Sequence, residues 1–176
     1  MHSRSSSPSL GERLGEGGRF TLGGATRDDA MALAPRLRAA DVEEIRAASG
    51  LAPAEAVCRS YDFSTHVWAV REFAGRPIGP AVAPLVALWG VGPLSLVEGR
   101  GCPWLLASDA FEAFGLDIAR LSRPLLARMR GHYPRLENRV DARHVRAVRW
   151  LSWLGFTIDP VTPWGVEGRP FHRFWI

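Results

Sequence analysis

The sequence contains no lysine, no glutamine and a single asparagine, Asn138. Its 22 basic residues are therefore all arginine, against 18 acidic residues, and the formal net charge is +4. The absence of lysine excludes a lysine nucleophile or a Schiff base. It also makes every fixed cation a guanidinium, which binds phosphate or carboxylate through two parallel hydrogen bonds.

Cysteine is scarce as well. Cys58 and Cys102 are the only two, which excludes a disulfide framework and a four-thiolate metal site. The sequence has no phosphate-binding P-loop and no strand–serine–helix nucleophile motif. Five histidines are scattered along the chain without ligand spacing, so we predict no metal: His2, His66, His132, His144 and His172.

Two segments of the sequence bear on secretion and on membrane insertion. Residues 1–19 lack the apolar core that a signal peptide requires, so we expect no secretion by that route. Residues 77–97 carry no charge but contain four prolines and three glycines. A lipid-exposed helix with those breaks would leave backbone groups unpaired, so we expect a soluble protein with no membrane span.

The length and the pattern of the chain indicate one domain. Residues 1–19 are rich in serine and glycine and predict a flexible tail, and residues 20–176 predict a single folded domain. Short helices are expected first, then strands that alternate with helices. Together they predict an α/β (α+β) fold, with a mixed, mostly antiparallel sheet and helices on both faces. The strands are expected at 20–22, 66–73, 85–91, 104–107, 138–142, 156–158 and 170–176, and the later helices from Ser108 or Asp109, from Ser122 and at 144–154.

The segment 140–156, V-D-A-R-H-V-R-A-V-R-W-L-S-W-L-G-F, resembles the late strand–helix–strand unit of the GNAT (GCN5-related N-acetyltransferase) superfamily. That unit has an asparagine after the strand, an alanine three residues later, a tyrosine at seven, and then Gly-Phe. The corresponding residues here are His144, Ala147, Leu151, Gly155 and Phe156. The resemblance implies a GNAT-like fold, with acetyl-CoA as the expected cofactor.

A closer resemblance is to a family of phage acetyltransferase-like proteins, also described as internal virion protein A. It rests on W-L-L-A-S-D at 104–109, on the pair Ser122-Arg123 and on the run 138–156. The resemblance implies an acyl-CoA-dependent N-acetyltransferase acting on an unidentified amine. The alternative is a catalytically inactive GNAT scaffold that serves as a virion structural or assembly protein. The expected location is a bacterial host cytoplasm or a phage virion.

The resemblance also implies the site residues. The backbone of Trp104, Leu105, Leu106 and Ala107 would meet the pantetheine arm of the cofactor. Arg120, Ser122 and Arg123 would hold the pyrophosphate at the start of a helix, since helix N-termini bind anions. His144 would line the pocket and could move protons, with Glu98 and Asp109 as candidate bases. Leu151 stands where the family commonly has its tyrosine acid, which favours the inactive alternative.

Arginines are dense between residues 120 and 149. A basic field of this kind attracts nucleic acid, the phosphates of a cofactor or an acidic protein surface. The alternative is a solvated face of a protein whose cations are all arginine, and the sequence does not choose between the two. We expect possible contacts to other virion proteins through the tail and this arginine-rich surface.

Overall fold

The computed structural model describes residues 12–13, 20–72 and 83–176. Nine strands form one sheet: β1 (Glu12–Arg13), β2 (Phe20–Gly24), β3 (His66–Glu72), β4 (Leu85–Ser95), β5 (Arg100–Ala107), β6 (Arg135–Asp141), β7 (Thr157–Ile158), β8 (Thr162–Trp164) and β9 (Arg169–Trp175). Five α-helices accompany them: α1 (Arg27–Leu33), α2 (Ala39–Ser49), α3 (Pro53–Asp62), α4 (Gly115–His132) and α5 (Val145–Trp153). Short 3₁₀ turns cover Ala34–Arg36 and Asp109–Phe114.

The strand order is β1-β2-β3-β4-β5-β6-β9-β7, with β8 also paired to β9. Neighbouring strands are antiparallel except β5 and β6, which are parallel. One face of the sheet packs against α4 and α5 around Leu125, Met129 and Leu151. The other face packs against α1 and α3 around Leu33 and Val57. The predicted fold class, a mostly antiparallel mixed sheet with helices on both faces, is confirmed.

Local signals explain where several elements begin and end. Thr26 caps α1 by accepting a hydrogen bond from the Asp29 N–H, and the Asp29 carboxylate accepts one from the Thr26 N–H in return. This capping box satisfies two N–H groups that a helix start otherwise leaves unpaired. Gly50 ends α2 at a φ of 71°, a conformation that glycine adopts without strain.

Some expectations differ from the structure. Glu12–Arg13, inside the predicted tail, pairs with β2, and the rest of 1–19 lies outside the described residues. The sequence also predicts a turn at Gly75-Arg76-Pro77, after the strand expected at 66–73, and these three residues lie outside the described ones as well. Strand β8 was missed because Pro163 lies within it and all its residues are exposed, so no alternating apolar pattern marks it. Within the described ranges, no helix is long and apolar enough to cross a membrane.

Candidate functional site

Strands β5 and β6 separate soon after they begin. Within the described chain they pair only at Arg100 with Arg135 and at Gly101 with Leu136. Just past the last pair, the Asn138 side chain bridges the two strands. Its Nδ2 donates to the Pro103 carbonyl at 2.8 Å. Beyond that bridge the sheet is open between β5 and β6.

A cavity of about 340 Å³ lies at this opening. Its wall includes Trp89 and Leu151 from the core beneath α4 and α5, and Trp104 and Leu106 from the core on the opposite face. The cavity therefore reaches both faces of the sheet. Apolar side chains of α4, α5 and the strands form most of it, and a smaller group of charged and polar side chains completes the wall: Arg38, Asp41, Glu44, Glu112, Asn138, Arg139, His144 and Arg146.

The N–H and C=O groups of every second residue of β5 point away from β4, on the side of this opening. The Ala107 N–H donates to the Asp41 carboxylate at 2.9 Å, and the Ala107 carbonyl accepts from the Arg38 N–H at 2.9 Å. Both groups thus point away from β4. Because backbone groups alternate along an antiparallel pair, the N–H and C=O of Leu105, two residues earlier, point to the same side. Leu105 therefore presents one donor and one acceptor to the cavity.

A buried ion pair fixes the end of β5. Asp41 is 5% exposed, and its carboxylate receives two hydrogen bonds from the Arg38 guanidinium, at 3.1 and 2.6 Å. Together with the bond from Ala107, these satisfy the carboxylate without water, as a buried charge requires. Aspartate is a common residue at helix starts, and the sequence around Asp41 predicts such a cap. The Asp41 side chain instead ties the start of α2 to β5.

The far end of α2 is held by the turn that joins β8 and β9. The N–H groups of Val166 and Glu167 donate to the carbonyls of Ala48 and Ala47, at 3.3 and 3.2 Å. Gly165, at a φ of 77°, lies directly against the Ala47 carbonyl, where a Cβ atom would not fit. These contacts position the helix that carries Asp41 and Glu44 into the cavity wall.

Sequence reasoning missed Glu44. Its Oε2 accepts the Asp141 N–H at 3.2 Å and lies 3.8 Å from Nδ1 of His144. The two residues are 100 positions apart and come from α2 and from the residue preceding α5, so no local pattern could join them. Both side chains are mostly buried, 28% and 18% exposed, and both line the cavity.

The cavity gathers only part of the predicted site. Trp104, Leu105, Leu106 and His144 line it. Ala107 meets Asp41 and Arg38 instead of the cavity. Glu98 lies in the turn between β4 and β5, exposed and paired with Arg100, and Asp109 is exposed at the start of a 3₁₀ turn. Neither of these two carboxylates lines the cavity.

The predicted helix start at Ser122 is wrong. Helix α4 begins at Gly115, so residues 120–123 lie within it. Ser122 is fully buried, and its hydroxyl donates to the Ile118 carbonyl at 2.6 Å and accepts from Nε1 of Trp150 at 3.1 Å. Arg120 is exposed beside Asp117, and Arg123 stacks over Trp153. Ser-Arg-Pro imitates a cap followed by proline, but here Pro124 lies inside the helix.

At the true start of α4 the charge is acidic. Asp117 lies in its first turn, and Glu112 lies in the preceding 3₁₀ turn. Arg146, from the first turn of α5, reaches across to Glu112 at 3.0 Å, and both side chains line the cavity. Arg146 thus lines the cavity, whereas Arg120 and Arg123 do not.

Other groups bear on the chemistry of the site. Leu151 is buried in the cavity wall, so the position of the family's tyrosine offers no proton. Burial raises the pKa of the Cys102 thiol to about 11, with a further effect from Glu137, so this thiol is not a nucleophile at neutral pH. Within the described residues, no group of three or more metal-ligating side chains occurs.

Many of the arginines predicted to form a basic field are paired. Arg143 contacts Asp141 at 2.6 Å and Glu43 at 3.5 Å, and Arg146 contacts Glu112. Salt bridges of this kind lower the local potential that an anionic partner would meet. The predicted contacts to nucleic acid or virion proteins stay predictions.

Comparison with solved structures identifies the fold. The chain is similar to a chimera of the spermidine N-acetyltransferase SpeG from Vibrio cholerae and hSSAT, at 15% identity and a TM-score of 0.65, covering 90% of this chain and 95% of that one. It is similar to the V. cholerae spermidine N-acetyltransferase in complex with CoA and spermine, at 14% identity and a TM-score of 0.65, with the same coverages.

A third similar structure is the ribosomal-protein-S5-alanine acetyltransferase from Vibrio fischeri, at 10% identity and a TM-score of 0.63, covering 96% of each chain. No protein-family model and no curated protein sequence matches the chain. The closer resemblance to a phage family stays a prediction. The structural likeness establishes the fold: the chain has the mixed, splayed sheet of the GNAT acetyltransferases.

Proposed function

We propose that the protein is an N-acetyltransferase, which moves an acyl group from an acyl-CoA to an amine. One observation carries the proposal. The sheet opens between β5 and β6 at a cavity of about 340 Å³, where Leu105 presents a backbone donor and acceptor. An extended amide-containing arm can pair with such groups as an added strand would.

The residues present fit the arm of the cofactor. The N–H and C=O of Leu105 would hold its amides, and the apolar wall near Trp89, Ala147 and Trp150 would exclude water from the thioester. The cofactor supplies an activated acyl group. The chain supplies the binding groove and the means to remove a proton from the amine.

The phosphates would meet a less usual surface. The start of α4 is acidic, because Glu112 and Asp117 lie there. It also lacks a glycine-rich loop. We propose that Arg146 binds phosphate and releases Glu112 when it does so. The exposed Arg120 and Arg123 would then contact the outer parts of the cofactor at most.

The alternative is an inactive scaffold with a structural role, as in a virion. Two observations favour it: Leu151 replaces the tyrosine acid, and the first turn of α4 is acidic. The phage origin and the virion location belong to this alternative and stay predictions. The open, lined cavity favours the enzyme, since a scaffold has no need to keep it.

The test is release of CoA thiol from acetyl-CoA in the presence of amines. Spermidine and a peptide with N-terminal alanine are the probes, because the structurally similar enzymes are named for these acceptors. We expect amine-dependent thiol release that falls sharply in Ala147→Phe, which fills the cavity, and is unchanged in Ser152→Phe on the exposed side of the same helix. Equal rates with and without amine would contradict transfer to an amine.

A further inference from the structure

Beside His144, the imidazole expected from the family pattern, the cavity wall holds a carboxylate that the pattern does not include. This pair, Glu44 and His144, belongs to the charged and polar part of the cavity wall. We propose that His144 accepts the proton of the acceptor ammonium and that Glu44 is the positioning residue that sets which ring nitrogen does so. The inference rests on the proposed function.

Geometry assigns the two nitrogens. Nδ1 of His144 lies 3.8 Å from Oε2 of Glu44, so a proton on Nδ1 faces a carboxylate. Nε2 is on the opposite edge of the ring and faces away from Glu44. A carboxylate next to one nitrogen favours the tautomer that carries its proton there and leaves the other nitrogen with a free lone pair.

The backbone holds the imidazole in place. The His144 N–H donates to the Asp141 carbonyl at 2.9 Å, and the His144 carbonyl accepts from Val148 at 3.1 Å as the first turn of α5 forms. Glu44 is held as well, because the same Oε2 accepts the Asp141 N–H. One peptide segment therefore aligns both side chains.

The other charged side chains of the cavity wall have contacts of their own, and Arg139 lies over the Trp164 ring. From β6, the Asp141 carboxylate binds Arg143 at 2.6 Å, and from α2, Glu43 faces that same arginine at 3.5 Å. Arg146 binds Glu112. On the cavity wall, Asp41 is neutralised by Arg38. Glu44 is the carboxylate within reach of the ring that no arginine occupies in the described structure.

The step is a simple proton transfer. An amine enters as R–NH₃⁺ because amines are largely protonated at neutral pH. One N–H bond breaks, its electron pair stays on the amine nitrogen, and the proton forms an N–H bond at Nε2 of His144. The ring becomes an imidazolium whose charge Glu44 offsets, and it returns the proton to solvent. The resulting R–NH₂ is the nucleophile that acyl transfer needs.

The first test does not depend on activity. Long-range ¹⁵N–¹H NMR of the full chain reports which ring nitrogen of the neutral imidazole carries the proton. We expect the Nδ1-protonated form to predominate. Predominance of the Nε2-protonated form would overturn the inference, because Nε2 would then have no lone pair to use.

The second test uses turnover of acetyl-CoA and spermidine. Glu44→Gln removes the charge, and Glu43→Gln, its exposed neighbour on the same helix, is the matched control. We expect kcat to fall about 10-fold or more in Glu44→Gln with KM for acetyl-CoA unchanged, and about 100-fold in His144→Ala. Free imidazole should restore part of the rate of His144→Ala, which a purely structural role of the ring would not allow.

The outcomes separate the two proposals. Equal rates in Glu44→Gln and Glu43→Gln, or in His144→Ala and the wild type, overturn the inference. They leave the proposed transfer of an acyl group to an amine intact. Failure of the wild type to bind acetyl-CoA overturns the proposed function, and the inference falls with it. Binding of acetyl-CoA without turnover of spermidine or the peptide contradicts the proposed activity, and the inference, which rests on that activity, falls with it.

Discussion

Asn138 of β6 donates a hydrogen bond from its side-chain Nδ2 to the carbonyl oxygen of Pro103 of β5, at 2.8 Å, at the point where the two strands separate. Its Oδ1 accepts the N–H of Arg139 at 2.8 Å. The only asparagine of the chain therefore joins β5 and β6 beside the cavity that it lines. The Asn138 side chain takes the place of the backbone hydrogen bonds that β5 and β6 would form if their parallel pairing continued.

Replacing Asn138 by alanine should weaken this junction. The partly buried Pro103 carbonyl loses its donor, so we expect the free energy of unfolding to fall by about 1 kcal/mol. Urea unfolding measures this change. Hydrogen exchange at the Arg139 amide should also become faster, because its acceptor is removed. Unchanged stability together with unchanged exchange would contradict a bridging role.

Removal of Asp41 should cost more. Its carboxylate takes two bonds from Arg38 and one from Ala107, and alanine would leave a buried guanidinium without a carboxylate. We expect a loss of about 3 kcal/mol for Asp41→Ala by chemical unfolding. Glu43→Ala, an exposed position on the same helix, should change the value by less than about 0.5 kcal/mol. Similar effects of the two variants would show that the buried pair does not stabilise the fold.

Ser122 distinguishes a buried packing residue from a phosphate ligand. Ser122→Ala removes the acceptor of the Trp150 N–H, so we expect a loss of about 1 kcal/mol in unfolding free energy and no change in acetyl-CoA affinity. Ser152→Ala is the matched control, because Ser152 also donates to a carbonyl four residues earlier but is exposed. Weaker cofactor binding in Ser122→Ala with unchanged stability would favour the ligand role.

Acid should destabilise the protein partly through Glu137. Hydrogen bonds from Arg173 hold the pKa of this carboxyl below its ordinary value; partial burial opposes the effect, and Arg100 adds to it. Because the pKa is lower in the folded state, this stabilisation is present above the ordinary pKa and is lost as the pH falls through the folded value. The unfolding free energy of Glu137→Gln should therefore depend less on pH than that of the wild type below about pH 5. Parallel curves for the two proteins would contradict this account.

The sequence predicts most of the framework because its signals are local. Thr26 caps its helix through a partner three residues away, and the apolar run that begins at Leu85 gives a central strand. The start of α4 was misplaced for a local reason as well. No capping signal marks Gly115, whereas Ser122 and Pro124 imitate one.

The site was predicted less completely because long-range contacts assemble it. Glu44 meets His144 across 100 residues, and Arg146 meets Glu112 across 34. Asp41 carries the residue type of a cap, yet its partner is an N–H of β5. Charged residues at these positions are equally compatible with exposed surfaces, and only the packing of α2 against the opened sheet gives them their partners.

The most direct test of the account is calorimetric titration of the full chain with acetyl-CoA. We expect the wild type to bind acetyl-CoA with micromolar affinity. We expect Ala147→Phe, which fills the cavity, to lose binding, and Ser152→Phe, on the exposed side of α5, to retain it. No heat of binding at millimolar acetyl-CoA, or equal affinity in the wild type and Ala147→Phe, would contradict a cofactor site between β5 and β6.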